Sequence, residues 1–200
     1  MQLYSSPSSP FVRKVRVSAH ELGLDARLTL IKVTLSPVNP HQELRTRNPL
    51  GKIPALITDE GETLYDSAVI CEYLDALAGG GRIFPAPGPA RWTALRRQAL
   101  ADGLTDATVL VRYETAVRPG TLRWQEWIEG QFLKVRSALD ALEQETLAGP
   151  FDIGLISVAC ALGYLDFRFP DERWRETRPR LAAWYAAAGE RPSLASTPPS

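Results

Sequence analysis

Cysteine is scarce in this sequence, which holds only Cys71 and Cys160 among its 200 residues. Both lie in apolar, helix-like runs, without a CxxC spacing and without a neighbourhood rich in metal ligands. We therefore expect neither a disulfide framework nor a metal site. Buried, reduced thiols of this kind are typical of cytoplasmic proteins.

An excess of charge and a long hydrophobic run are missing as well. The 23 basic side chains balance the 23 acidic ones, so no overall field would recruit nucleic acid or an anionic membrane surface. No window approaches the roughly 18 uninterrupted apolar residues of a membrane span, and the sequence starts with strand-like residues instead of a basic and apolar leader. We expect a soluble, unprocessed cytoplasmic protein with no nucleic-acid or membrane partner.

Apolar residues, by contrast, make up 44% of the chain, enough to bury a sizeable core in one large domain or two small ones. The first part alternates between strand and helix patterns. It predicts a strand at residues 2–5, a helix at residues 10–22 that ends at Gly23, and a second strand at residues 27–33. This order is a βαβ unit.

The second part predicts the rest of a small α/β domain. A short helix is expected at residues 41–45, and hairpin strands are expected at residues 54–58 and 63–65 around an acidic turn. A helix at residues 67–77 closes the unit. The order βαβ and then ββα predicts a thioredoxin-like fold, with helices on the faces of one small sheet.

A break in composition separates this domain from a helical one. Residues 79–89 hold three prolines and four glycines, which cannot continue a helix and indicate a linker. Helices are predicted at residues 92–114, 122–145, 153–165 and 180–189, and the third of them is apolar nearly all round and therefore central. The predicted organisation is an α/β domain at 1–78, a linker at 79–89 and an all-α domain at 90–200.

The turn between the first strand and the first helix is the most informative local feature. Pro10 suits the first helical position, and Ser9 before it is a favoured N-cap residue. In one interpretation the Ser9 side chain only caps the helix, which is worth ~1 kcal/mol. In the other, its hydroxyl donates to a bound thiolate that the helix dipole also stabilises. The residues alone leave both interpretations open, because both use the same geometry.

Three segments together resemble the glutathione S-transferase superfamily, and within it the bacterial serine-type, YibF-like members: residues 4–16, 48–56 and 64–70. Residues 161–168 also look like the matching stretch of that group. The resemblance covers essentially the whole chain. It implies glutathione as co-substrate without a metal. It also implies a homodimer, in which the thioredoxin-like domain of one subunit packs against the helical domain of the other.

For the reacting end of glutathione, the resemblance implies that Ser9 activates the thiol. Ser6 and Ser8 are close enough to replace it if the turn is drawn differently, but only Ser9 adjoins the proline that starts the helix. The resemblance also implies a cis peptide bond between Ile53 and Pro54. This bond would present the backbone of Ile53 to the cysteinyl part of glutathione.

The two ends of glutathione would be held elsewhere. Asp66 would take the γ-glutamyl ammonium group and Ser67 its carboxylate, although Ser67 is also an ordinary candidate for the N-cap of the closing helix. Lys52 would neutralise the glycyl carboxylate, with His41 or Arg45 as alternatives.

The resemblance implies an enzyme that ionises glutathione and adds it to a small hydrophobic electrophile held by the helical domain. By position, we expect the residues after Ser9 and the helix at residues 92–114, with Arg112 and Tyr113, to line this pocket. Glutathione-dependent peroxidase, isomerase and dehalogenase reactions stay open, because no residue selects among them. A non-catalytic binding or regulatory protein with the same fold is the alternative from another class. No cysteine replaces Ser9, which disfavours a dithiol mechanism.

Overall fold

A four-stranded sheet forms the centre of the N-terminal domain in the computed structural model, which describes all of residues 1–200. The strands are β1 (Gln2–Ser5), β2 (Thr29–Lys32), β3 (Ala55–Ile57) and β4 (Thr63–Leu64), and their order in the sheet is β2-β1-β3-β4. β1 runs parallel to β2, with Leu3 opposite Leu30, and antiparallel to β3, with Leu3 opposite Leu56. β3 and β4 form the predicted hairpin.

Three helices cover the two faces of this sheet. They are α1 (Pro10–Glu21), α2 (Gln42–Arg47) and α3 (Ser67–Leu77). Because side chains alternate along a strand, Leu3 of β1 joins the core beneath α1 and α3, while Tyr4 joins a smaller cluster with Leu44 of α2. The predicted thioredoxin-like fold is confirmed.

The rest of the chain is helical. It consists of α4 (Pro89–Ala116), α5 (Gln125–Gln144), α6 (Ile153–Arg168), α7 (Pro179–Gly189) and α8 (Pro192–Ala195). α6 is buried from Ile153 to Leu165, as its apolar sequence predicts. Asp152 caps this helix, and its carboxylate accepts a hydrogen bond from the amide of Leu155 at 3.0 Å. None of the helices alone has the length and hydropathy of a membrane span. α6 and the turns at residues 170–176 have them only when taken together, and the two are bent by 104°.

Several predicted boundaries need correction. α4 begins at Pro89, the last residue of the predicted linker. α5 begins at Gln125 and not at Leu122, because Gly120–Leu122 forms a separate 3-10 turn. The predicted set of helices also lacks α8, which Pro192 starts. Proline suits the first turn of a helix, so a proline after α7 is compatible with a new helix as well as with an end.

The two domains share one apolar core. Val12 of α1 lies in the same cluster as Ile156 and Ala159 of α6. α6 also approaches α4 closely, since a Cβ built on Gly154 would lie 2.6 Å from the carbonyl oxygen of Ala94. This packing places the start of α1 beside α4 and α6.

Candidate functional site

Ser9 caps the N-terminus of α1. Its backbone is extended (φ −83°, ψ 121°), and its Oγ accepts a hydrogen bond from the amide of Val12 at 3.3 Å. The predicted cap is confirmed. A serine hydroxyl that accepts one hydrogen bond still has its own hydrogen to donate, so Ser9 remains able to donate to an anion beside the helix. The two interpretations of Ser9 are therefore compatible.

The neighbouring serines have other partners. The hydroxyl oxygens of Ser6 and Ser8 lie 3.2 Å apart, within hydrogen-bond distance of each other. Ser5 is buried, and its hydroxyl donates to the carbonyl oxygen of Ile31 at 3.5 Å. Ser9 is thus the serine of this turn whose Oγ sits on the amides of the helix N-terminus, which makes it the better candidate for contact with a thiol.

The loop before β3 is held by Asn48. This residue is 2% exposed, its side-chain amide donates to the carbonyl oxygen of Lys52 at 2.8 Å, and its side-chain oxygen accepts from the amide of Leu50 at 3.0 Å. The Ile53–Pro54 peptide bond is cis, as the resemblance implies. Neither the N–H nor the C=O of Ile53 takes part in a backbone hydrogen bond. Both groups are available to an extended ligand that lies along this loop.

Asp66 begins α3. Its backbone is extended, and its Oδ1 accepts a hydrogen bond from the amide of Ala68 at 2.9 Å. The alternative in which Ser67 is the N-cap is therefore wrong, because Ser67 already occupies the first helical position, where it is buried. The second oxygen of Asp66 and the first amides of α3 lie together at this helix end. They can receive a ligand group that carries both an ammonium and a carboxylate.

The three candidate partners of a glycyl carboxylate differ in their surroundings. Lys52 is exposed, and its backbone is fixed by Asn48. Arg45 lies beside the same loop, since a Cβ built on Gly51 would be 3.3 Å from its Cγ. His41 caps α2 instead, and its Nδ1 accepts from the backbone amide three residues later at 3.2 Å. Lys52 and Arg45 are thus better placed than His41.

A buried ion pair joins α1 to α4 in the second turn of α1. Lys14 Nζ lies 2.7 and 2.8 Å from the two carboxylate oxygens of Asp102, and the Lys14 side chain is 2% exposed. Burial raises the pKa of Asp102, although Lys14 opposes the shift. Burial also raises the pKa of Asp106, one turn further along α4, against the opposing charges of Lys52 and Lys14. The sequence does not reveal this pair, because its members are 88 positions apart.

Both cysteines are unreactive in this fold. Cys71 and Cys160 are free and buried. Burial raises the pKa of Cys71 to about 11 and that of Cys160 to about 12, so both thiols stay protonated near neutral pH. No group of three or more His, Cys, Asp or Glu side chains is placed to hold a metal ion.

An aromatic and basic cluster lies where α4 and α6 meet; this α4–α6 cluster consists of Arg112, Tyr113, Tyr164, Phe167 and Arg168. The Arg168 guanidinium carbon lies 4.1 Å from the ring centroid of Phe167 and 5.8 Å from that of Tyr164. Burial raises the pKa of Tyr164 and of Tyr113. Sequence position points to Arg112 and Tyr113. Tyr164 and Arg168 have no signal in the sequence beyond the family-like stretch at 161–168.

A thioredoxin-like domain with a capped helix N-terminus, followed by an all-helical domain, defines the glutathione transferase type of fold. The model of the glutathione S-transferase N-terminal domain matches residues 3–82, and that of the C-terminal domain matches residues 125–187. The uncharacterized GST-like protein YibF of Escherichia coli strain K12 is 33% identical over 204 residues, which cover 100% of this chain and 98% of YibF. The chain belongs to the glutathione S-transferase family.

Solved structures agree with this assignment. A glutathione transferase family member from Pseudomonas fluorescens Pf-5 with bound glutathione is 52% identical, with a TM-score of 0.97 over 100% of this chain and 98% of that chain. A crystal structure of a family member from the same organism with bound S-(propanoic acid)-glutathione is 51% identical, with a TM-score of 0.92 over 100% of both chains. A glutathione S-transferase from Methylobacillus flagellatus KT with glutathione bound is 37% identical, with a TM-score of 0.87 over 100% and 99%.

Proposed function

We propose that this protein is a serine-type glutathione S-transferase, which binds glutathione, stabilises its thiolate and adds it to a small electrophile. The observation that carries the proposal is the position of Ser9, whose Oγ sits on the N-terminal amides of α1 with its own hydrogen free to donate. The related bacterial structures with bound glutathione support glutathione as the ligand of this chain.

The thiol lies at the N-terminus of α1 in this proposal. A hydrogen bond from Ser9 and the positive end of the helix dipole both favour the thiolate over the thiol, so both lower the pKa of the thiol. Lowering the pKa of the thiol by one unit requires ~1.4 kcal/mol of extra stabilisation of the thiolate over the thiol. One hydrogen bond to a charged group supplies ~1.5–3 kcal/mol, so the Ser9 hydroxyl alone could lower the thiol pKa by about one to two units.

The rest of the tripeptide spans the N-terminal domain. The N–H and C=O of Ile53 pair with the cysteinyl backbone, which the unpaired state of both groups supports. Asp66 takes the γ-glutamyl ammonium group through its second oxygen, and Ser67 with the first amides of α3 takes the carboxylate. Lys52 neutralises the glycyl carboxylate, because its side chain is exposed beside the loop that leads to Ile53.

The electrophile lies between the Ser9 turn and the α4–α6 cluster. The relative that holds S-(propanoic acid)-glutathione supports an S-substituted glutathione as a ligand of this chain too. In the reaction, the thiolate sulfur forms a bond to an electrophilic carbon, and the displaced electron pair leaves with a leaving group or moves into the electrophile. The proposal places this step in the cytoplasm, in a detoxifying role.

The proposal includes a homodimer. Large apolar side chains are exposed on both domains, among them Leu50 and Val69 of the N-terminal domain and Trp92 of α4. A partner subunit would bury them. Sedimentation should give about twice the 22.1 kDa of one chain. The mass of a single chain at micromolar concentration would contradict the dimer.

Two measurements on the purified protein test the proposed function. The first is retention on immobilised glutathione, and the second is conjugation of glutathione to a panel of small electrophiles under saturating glutathione. Retention and conjugation together support a transferase. Retention without conjugation, peroxide reduction, isomerisation or dehalogenation would favour a non-catalytic binding protein. Failure to bind glutathione would contradict the transferase and leave a binding or regulatory protein with another partner.

A further inference from the structure

We infer that the electrophile of this protein carries a carboxylate, which the guanidinium groups of Arg112 and Arg168 bind in the α4–α6 cluster. The inference rests on the proposed transferase function. It names the class of substrate and the residues that select it.

Arg168 is a cation without an anion in the protein. Its Nε is buried and has no hydrogen-bond partner, and its guanidinium stacks on Phe167 instead. The neighbouring carboxylate of Asp166 pairs with another arginine, because it accepts two hydrogen bonds of 2.6 Å from Arg175 and one of 2.8 Å from Trp174 Nε1. A partly buried guanidinium that the protein leaves unpaired is suited to bind an anionic ligand.

Arg112 of α4 is half-buried and, like Arg168, has no ion-pair partner in the protein. The nearby carboxylate of Glu114 accepts hydrogen bonds from Arg118 Nε at 2.7 Å and from the amide of Trp124 at 3.0 Å, and Arg112 forms no ion pair with it. The Arg168 guanidinium carbon lies 5.8 Å from the ring centroid of Tyr164. Arg112 is near enough for its charge to lower the pKa of the Tyr164 hydroxyl, as Arg168 also does, although burial raises that pKa. Cations from two helices thus act on one buried phenol.

The helix that carries Arg168 contacts the start of α1. Arg13, four residues after Ser9 in α1, packs its guanidinium against Gly163, the residue before Tyr164. This contact joins the start of α1, which Ser9 caps, to the C-terminal half of α6, the helix that carries Tyr164 and Arg168. Arg13 Nε and Nη1 are buried and also lack hydrogen-bond partners. The start of α1 thus brings a further guanidinium to α6, and the Nη2 of this guanidinium donates to the carbonyl oxygen of Leu194 at 3.3 Å.

The chemistry of an unsaturated acid fits this arrangement. With acrylate, the thiolate sulfur bonds to the β carbon, the π electron pair moves to the carbon next to the carboxylate, and a proton from water completes the product. No group leaves. The thiolate and the carboxylate repel each other on approach, and negative charge grows at the acid end in the transition state. Guanidinium groups at the carboxylate reduce this repulsion and stabilise the growing charge.

The test compares acrylate with acrylamide, which has a similar shape and no charge, in the full-length protein. A hydrogen bond between charged groups is worth more than one to a neutral group. Arg168→Gln and Arg112→Gln should therefore each lower the ratio of kcat/KM for acrylate to that for acrylamide by about tenfold or more. Arg173→Gln is the matched control, since Arg173 is an exposed arginine outside the α4–α6 cluster. It should leave the ratio unchanged, and thermal unfolding checks that all three variants fold.

Calorimetry separates this inference from the proposed function. The wild-type protein should bind S-(2-carboxyethyl)glutathione more tightly than its uncharged amide, and Arg168→Gln should lose the preference. That result without turnover of either electrophile, or of any electrophile in the conjugation panel, would support the anion site and contradict the transferase. Equal binding of acid and amide by the wild type, with an unchanged acrylate ratio in both variants, would overturn the inference while conjugation of acrylamide still supports the transferase.

Discussion

The glutathione half and the electrophile half of the candidate site are built from different parts of the protein. The glutathione half uses helix termini and backbone groups of short segments in the N-terminal domain, at Ser9, Ile53 and Asp66. The electrophile half uses long side chains, Arg112 from α4 and Arg168 from α6. Local backbone conformation positions the first half, whereas the packing of two distant helices positions the second.

This difference indicates which half can change most easily. Backbone groups offer the same hydrogen bonds whatever side chain they carry, so in the proposed glutathione half only the few positions that contribute a side chain, such as Ser9 and Asp66, should be sensitive to substitution. A single substitution at Arg112 or Arg168 changes the charge of the electrophile half without moving the backbone. We therefore expect glutathione binding to be common to relatives of this protein and electrophile preference to vary among them.

The ion pair between Lys14 of α1 and Asp102 of α4, which joins the two domains, gives the largest expected change in stability. Lys14→Met removes the cation between α1 and α4 and leaves the mostly buried Asp102 without a partner. We expect the free energy of unfolding to fall by about 3 kcal/mol, as measured by urea denaturation. The double variant Lys14→Met/Asp102→Leu should recover most of this loss, because no buried charge remains. A double variant as unstable as the single one would show that the lost ion pair is not the cause.

The close approach of α6 to α4 gives the next largest effect. A methyl group at residue 154 would lie 2.6 Å from the carbonyl oxygen of Ala94 and 2.7 Å from Cβ of Arg97. Gly154→Ala should therefore destabilise the protein by about 1–3 kcal/mol. Gly130→Ala is the matched control in α5, where a Cβ would meet nothing within 4 Å, and it should stabilise by about 0.5–1 kcal/mol. Equal effects in thermal denaturation would show that the predicted contact at Gly154 is relieved.

A substitution with a smaller expected effect tests whether the glutathione half and the electrophile half act independently. Ser67→Ala should weaken glutathione binding about fivefold, since one hydrogen bond to the γ-glutamyl carboxylate is lost. The ratio of acrylate to acrylamide conversion should not change, because Ser67 lies at the start of α3, away from the α4–α6 cluster. Unchanged glutathione affinity in calorimetry would remove Ser67 from the site. A changed ratio would show that the two halves are coupled.

The same comparison explains what the sequence could predict. Cap residues, prolines and turns act within a few positions, so the thioredoxin-like unit and the cap at Ser9 have local signals. The cis bond before Pro54 has none, and only the family resemblance implies it. Asp66 and Ser67 are adjacent and both are good capping residues, so the sequence does not specify which of them caps α3. The backbone conformation makes Asp66 the cap and Ser67 the first helical residue.

Contacts between distant helices left no such signal. Lys14 and Asp102 pair across 88 positions, and neither residue type is unusual in its own helix. Arg168 differs from Arg175 only in what lies around it, because Asp166 pairs with Arg175 and leaves Arg168 without an anion. Which arginines remain unpaired is decided by tertiary packing.

The most direct test of the account is the pKa of the glutathione thiol bound to the protein, measured from the ultraviolet absorbance of the thiolate. Ser9→Ala removes the proposed hydrogen bond to the thiolate, so the bound thiol should titrate about one to two pH units higher than in the wild type. Ser8→Ala is the matched control, because the Ser8 hydroxyl lies beside that of Ser6 and not at the helix N-terminus. It should leave the titration unchanged. If the bound thiol titrates in Ser9→Ala as it does in the wild type, Ser9 is only a helix cap and the proposed mechanism is contradicted.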